Sequence, residues 1–546
     1  MKKPWLALSL VMLLASSCED QLELTPLDRF EETTFWTTES NAMLALNAVY
    51  RGTIFANAPE YNPNDWWDYN GLIWMELGTD NAYPRTGDNA AQNRLTNGTL
   101  NGTVGILGNY WTNSYSRIAR CNDFLENIGQ VTMDETKKQR MIAEVKFIRA
   151  CQYFYMSQFW GSVPLITNTL TAEEANVVTK ASKQEVVNFV IKEFTDAAAA
   201  LPRHKDIPTA EIGRASKQAA LAFLGRIQLS EKMFSDAANT YETIIDFNDN
   251  IIDSDYSSIF LERNENSNEN IFSTQFVPNL LSNAIMRHFA PSLSGGFNLL
   301  NPLANLMEAY QFTDGTSFSY TDTRYDANDI GKNRDPRLRY TILYNNAPFG
   351  ANKYISHPDV TNTPDRTGAT GKTATGYGMK KYIDETFTGN YNTQYGGNIP
   401  IIRFAEVLLS YLEAKLEAGQ AITQADLDAT INRVRGRSTV NLPSITVTDP
   451  VALRPILRNE RRVELALEGI RYWDLLRWGI ARDVLKGDFY GHPFPDAKTA
   501  IRKKNANTPV DQFRRWFVTT RNFRKGTDEV WPIPQSEINI NPNLAK

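Results

Sequence analysis

The chain has 546 residues, 42% of them hydrophobic and 22% charged, with a formal net charge of −5. That is ample length for a large core and an ordinary globular composition. The charge balance offers no basic field of the kind that binds nucleic acid. Aromatic residues make up 11%, among them 11 Trp and 23 Tyr, side chains that pair an apolar face with a polar edge.

The first stretch, "MKKPWLALSLVMLLASSC", places two lysines before an apolar run and small residues before Cys18. It reads as a secretory signal peptide, too short to span a bilayer. A small-residue run that ends at a cysteine is similar to a lipobox, so cleavage is expected after residue 17, with acyl chains on Cys18 as a lipid anchor. The other two cysteines, Cys121 and Cys151, lie in apolar helical contexts and read as buried thiols.

"ESNAMLALNAVYRGTIF" has helical spacing. "ANAPEYNPNDWWDYNG" and the Asn-, Thr- and Gly-rich stretch from Arg85 to Gly108 read as loops. Helices follow from Tyr110. "EVKFIRACQYFYMSQFWG" is apolar almost all round and reads as a buried helix that Gly161 and Pro164 stop. A helix is predicted from Lys183 to Leu201. In the next pair, Leu224 and Gly225 followed by Ala237 and Tyr241 match the small and large packing positions of a tetratricopeptide-type unit. A second pair is predicted over Arg403–Gly419 and Gln424–Arg437. Between them, about residues 247–400 are dense in Asn, Asp, Gly, Thr, Pro and Tyr, and a loop-rich stretch of this length is usually functional. The expected fold is mostly α, a tetratricopeptide-like helical scaffold (an α-α superhelix) whose irregular insert forms the ligand face.

Several motifs fail on inspection. "TGATGKT" has Arg366 where a phosphate loop needs its first glycine. "DFNDNIID" begins like a calcium loop but has Ile251 at the turn glycine, and the acidic loops elsewhere leave a structural calcium ion an open question. The four histidines show no metal-ligand spacing, so neither metal nor cofactor is expected. Arg458 to Gly479, "RNERRVELALEGIRYWDLLRWG", is crowded with acids and arginines. Glu460, Glu464 and Glu468 recur every four residues, hence on one helix face. A glycosidase needs carboxylates on opposite sides of the scissile bond. The row therefore reads as scaffold, paired with nearby Arg461, Arg462 and Arg471, and not as a catalytic centre.

That stretch resembles the C-terminal signature of the SusD/RagB family of outer-membrane glycan-binding lipoproteins. "FWTTESNAMLALNAVYR", "SRIARCNDFLENI", "AEVKFIRACQYFYMSQFWGSVPLI", "NRDPRLRYTIL", "IPIIRFAEVLLSYLEAKLEAG", "INRVRGRS" and "VWPIPQSEININPNL" resemble further family segments in order along nearly the whole chain. The resemblance implies one domain over residues 18–546, with scaffold at 30–246 and 401–480, the insert at about 247–400 and a C-terminal segment at 481–546. It implies a non-enzymatic, surface-exposed, lipid-anchored outer-membrane protein. Such a protein binds oligo- or polysaccharide and delivers it to a SusC-like TonB-dependent transporter. Capture of peptides, as in the RagB branch, is the alternative. "CEDQ" resembles the family's acidic surface-export signal.

Sugars stack on rings and are fixed by polar side chains. "NDWWDYNG" therefore supplies the expected platform, Trp66, Trp67 and Tyr69 with Asp68. "GTDNAYPR" resembles the family segment that offers an Asp and an Arg to ligand, here Asp80 and Arg85, with Asn81 alongside. Where many relatives carry Trp after "GD", this chain has Asn89. Arg366, Tyr391 and Tyr395 complete the expected site from the insert.

Overall fold

The computed structural model describes residues 35–51 and 65–546. The expected signal peptide and lipid-anchor Cys18 lie outside the described residues. The scaffold is a succession of helices: α1 (Glu39–Arg51), α2 (Gly105–Asn127), α3 (Glu135–Phe159), α4 (Lys183–Ala200), α5 (Lys217–Ser230), α6 (Phe234–Phe247), α7 (Phe404–Glu417), α8 (Pro450–Glu464) and the short α9 (Arg471–Arg477). From α2 to α8 each helix packs on the next in chain order. Among the described residues no helix is long and apolar enough to cross a membrane.

Local chemistry explains the boundaries. Asp134, Ser182 and Ser216 cap α3, α4 and α5 by accepting a hydrogen bond from a first-turn backbone N–H. Gly161 and Gly419 take left-handed conformations (φ 73° and 72°) just beyond the ends of α3 and α7. The pairing of α5 with α6 rests on Gly225: a Cβ there would stand 2.5 Å from the ring of Tyr241, so only a bare backbone admits that ring. Both thiols are buried, Cys121 on α2 and Cys151 on α3. The helix predicted over Gln424–Arg437 is broken at Thr430 (φ −125°, ψ −96°) into Gln424–Ala429 and Ile431–Arg435.

The strands are short antiparallel pairs. β1 (Ala82–Pro84) and β2 (Asn270–Thr274) pair respectively with β3 (Leu300–Pro302) and β4 (Ile399–Arg403), and β5 (Lys486–Pro493) pairs with β6 (Arg515–Asn522). The Ala91–Leu95 turn falls where the sequence reads as loop, and β1 lies just ahead of that stretch. The β2·β4 pair brings the two ends of the insert together beside α7.

The acidic row proves to be the charged heart of the scaffold. Glu460 accepts from Arg337 (2.6 Å) and Arg435 (2.7 Å). Glu464 accepts from Arg337 (2.8 Å), Arg403 (2.7 Å) and Arg437 (3.0 Å). Glu468 accepts from Arg403 and from Lys381 (2.6 Å). Glu269 and Asp335 add two more carboxylates, so five cations face five anions, all buried. Two expectations are corrected here. The partners come from distant segments, while Arg461 pairs with Asp474, and Arg462 and Arg471 with Asp80. And α8 stops at Glu464, so Glu468 is presented by a turn with Leu467 left-handed (φ 62°), not by the helix.

Candidate functional site

The predicted aromatic platform is core. Trp66 is 1% exposed and stacks among Tyr110 (4.0 Å), Tyr155 (4.6 Å) and Phe159 (5.2 Å), while its Nε1–H donates to Ser114 Oγ. Trp67 is buried against Phe272 and Phe147, with the Arg117 guanidinium 4.9 Å from its ring. Tyr69 is buried, its hydroxyl 3.0 Å from His288 Nδ1. The physical reason is area: each ring hides some 150–250 Å² of mostly apolar surface, and a helix junction offers the place to hide it. Trp67 and Asp68 still line a cleft of about 430 Å³ between α1, the 210–214 segment and β2.

Asp80 and Asn81 are corrected in the same way. Asp80 is buried between Arg471 (2.9 Å) and Arg462 (2.7 Å). Burial alone would raise its pKa, but the two arginines outweigh that and hold the carboxyl well below its usual range. Asn81 donates to Glu76 (2.8 Å) and accepts from Arg462 (2.9 Å). Tyr395 is buried against Phe387. These three side chains brace the fold and do not face solvent.

Arg85, Arg366 and Tyr391 are half-buried at the surface. Two residues that sequence reading missed stand near them: Phe297, whose ring Arg85 approaches, and Arg287, which lies at that ring and lines one cavity with Tyr391. The β1·β3 ribbon continues past Pro84, where the Arg85 N–H donates to Leu299 O (2.9 Å), and this sets Arg85 beside Phe297. The segment 287–299 folds back on itself: the Phe297 and Leu299 N–H groups donate to Arg287 O and His288 O. Gly296 makes the fold-back sterically feasible, since a Cβ there would lie 2.1 Å from Ala290 O. Buried Asp365 accepts from the backbone N–H of Ser292 and of Leu293, each at 2.9 Å, and so fixes this turn to the loop that carries Arg366.

The result is one ring approached by two guanidiniums. Arg287 lies 3.9 Å and Arg85 5.8 Å from the Phe297 ring centre. Beside them opens a bowl of about 490 Å³, walled by Arg287, Ser294 and Gly295 on one side and Phe387, Asn390 and Tyr391 on the other. The rings of Phe387 and Tyr391 stand 5.9 Å apart, tilted by 30°. His288, next to Arg287, is pushed down to about 4 by burial and by the Arg287 charge, so at neutral pH the cations here are arginines. No Asp or Glu is among the described residues that line the bowl, and no cluster of His, Cys, Asp or Glu among the described residues could hold a metal ion. Guanidinium, amide and hydroxyl groups next to ring faces can bind a polar, uncharged ligand through hydrogen bonds and stacking.

Arg287 and Phe297 had no periodic signal to betray them. The one available cue was the pair Gly295–Gly296, which marks a tight return in the chain.

Comparison with known proteins agrees with this architecture. The SusD family matches residues 257–546, and a second family, described as starch-binding and associating with the outer membrane, matches residues 37–229. A solved SusD-like carbohydrate-binding protein from Bacteroides fragilis is 46% identical, with a TM-score of 0.90 over 94% of this chain and 100% of that one. SusD-like protein P25 of Formosa agariphila is 26% identical, covering 90% of this chain and 93% of its own. The starch-binding protein SusD of Bacteroides thetaiotaomicron is 23% identical, over 66% of this chain and 68% of its own.

Proposed function

Because the chain belongs to the SusD family, we propose that it is a lipid-anchored, surface-exposed protein of the outer membrane that binds oligo- or polysaccharide without cleaving it. It passes the glycan to a SusC-like TonB-dependent transporter. The domain boundaries expected from the sequence belong to this reading, with the insert as the ligand face. The ligand sits in the bowl, with Arg85, Arg287 and Asn390 towards its hydroxyls and Tyr391 and Phe387 against its C–H faces. Arg366 contributes from the neighbouring loop.

The observation that carries the reading is the composition of the bowl: two rings, the Arg287 guanidinium and the amides of Asn390 and Asn392, with no acid among the described residues that line it. Glycoside hydrolysis needs two carboxylates flanking the bond, roughly 5–10 Å apart. A carbohydrate-binding relative at 46% identity supports the ligand class. Calorimetry against soluble glycans tests it: binding that Tyr391→Ala and Arg85→Ala weaken is expected, with no reducing sugar released. Release of reducing sugar would overturn the binding-only role.

Peptide capture, the RagB-like alternative, has its own cavity. The cleft beside Trp67 sets Ile212 and Leu281 among charged side chains of both signs, Asp68, Glu211 and Arg214, with Val277 and Leu280 exposed at the neighbouring turn, a mixture that suits the side chains and backbone of a peptide. Peptide binding that Ile212→Asp abolishes, with every glycan silent, would establish that role instead.

A further inference from the structure

The loop that forms one wall of the bowl, residues 384–398, leaves the scaffold after Lys381 and returns through β4 to Arg403. Both of these side chains end on the same carboxylate. Lys381 Nζ donates to Glu468 Oε1 at 2.6 Å. Arg403 donates from Nε to Oε2 and from Nη2 to Oε1, each at 2.8 Å. All three side chains are buried.

The backbone on either side is held in costly conformations. Leu467, before Glu468, and Tyr382, after Lys381, are left-handed at φ 62° and 69°. Gly469 follows at φ 78°, where a Cβ would stand 2.2 Å from Leu72 O. Left-handed bulky residues cost free energy and persist where their surroundings over-determine them. Here they aim one carboxylate inward and one ammonium towards it.

We propose that Glu468 is the positioning residue of the ligand-contact loop: one carboxylate ties down both feet of residues 384–398 and so sets Phe387 and Tyr391 opposite Arg287. The proposal rests on the reading of the bowl as the ligand site. The two feet are not equally secured. Arg403 also pairs with Glu269 and Glu464, both at 2.7 Å. Lys381 has Glu468 as its carboxylate partner, with Tyr256 Oη and Ala466 O as neutral acceptors. Loss of the Glu468 charge therefore frees the Lys381 foot first.

The test is hydrogen exchange on ligand-free Glu468→Gln, together with glycan affinity. Amides in 384–391 should exchange at least about ten-fold faster, those in 395–403 less so, and those in α3 to α6 unchanged. Affinity for the glycan that the wild type binds should fall about ten-fold, and the losses from Glu468→Gln and Tyr391→Ala should combine to less than their sum, because both act through the same loop. Unchanged loop exchange, exchange raised equally throughout the scaffold, or affinity losses that add would overturn the proposal. Should Glu468→Gln not fold, Lys381→Met keeps the Arg403–Glu468 pair and carries the same exchange test. Faster exchange confined to the loop in a protein that binds no glycan would support the clamp and sink the glycan site, so the two readings fail separately.

Discussion

Glu464→Gln is the substitution that most severely tests the ionic core. Glu464 is fully buried and accepts from three arginines, Arg337, Arg403 and Arg437, at 2.7–3.0 Å. Burial alone would raise its pKa, yet the three guanidiniums hold it well below the ordinary 4.5. Glutamine keeps the shape but removes the charge, which leaves five buried cations facing four anions. Removing one partner of a buried pair costs about 3–5 kcal/mol, a large part of the roughly 5–15 kcal/mol that holds a domain together. The pH dependence has a defined sign. A depressed carboxylate pKa contributes stability that is complete above the unfolded value of about 4.5 and is lost as pH falls towards the folded value. Denaturant unfolding at pH 7 should therefore show a loss of about 3–5 kcal/mol, and the difference between wild type and variant should shrink below pH 4.5. A loss under about 1 kcal/mol at pH 7 would refute the argument that the row is a load shared by buried pairs.

Two other expectations separate scaffold from site. Trp66→Ala should cost about 3–5 kcal/mol in thermal or denaturant unfolding, because it empties a ring-stacked core position, whereas Tyr391→Ala should stay within about 0.5 kcal/mol. Glu76 is pushed up to about 7 by burial against the pull of Asn81 and Arg471. Its contribution is complete below about 4.5 and is lost as pH rises through 7, so Glu76→Gln should gain stability over wild type at pH 8 and not at pH 4 in unfolding titrations.

The helices were legible from end signals joined to an amphipathic stripe or, in α3, to an apolar run on all sides, and the match of Gly225 with Tyr241 was legible because one contact needs both residues. The role of the acidic row was legible only in part. Spacing shows that Glu460 and Glu464 share a helix face, but spacing is blind to Arg337, Arg403 and Arg437, which reach it from elsewhere in the chain. The site was the least legible part. "WWDY" has the composition of a sugar platform, and burial claimed its rings first. Asp80 and Arg85 are close in sequence, yet one faces the arginines of the scaffold and the other faces solvent. Arg287 and Phe297 become a site only through a fold-back in the chain, which no linear pattern announces.

The most direct measurement is calorimetric titration of the protein from Glu19 onwards with a panel of soluble polysaccharides, run beside Tyr391→Ala, Arg85→Ala and Arg287→Ala. The account predicts that at least one glycan binds, that each substitution weakens it by about ten-fold or more, and that each variant keeps the wild-type melting temperature. A glycan bound with equal affinity by the wild type and all three variants would contradict the placement of the site in the bowl, and silence on every glycan would contradict the function itself.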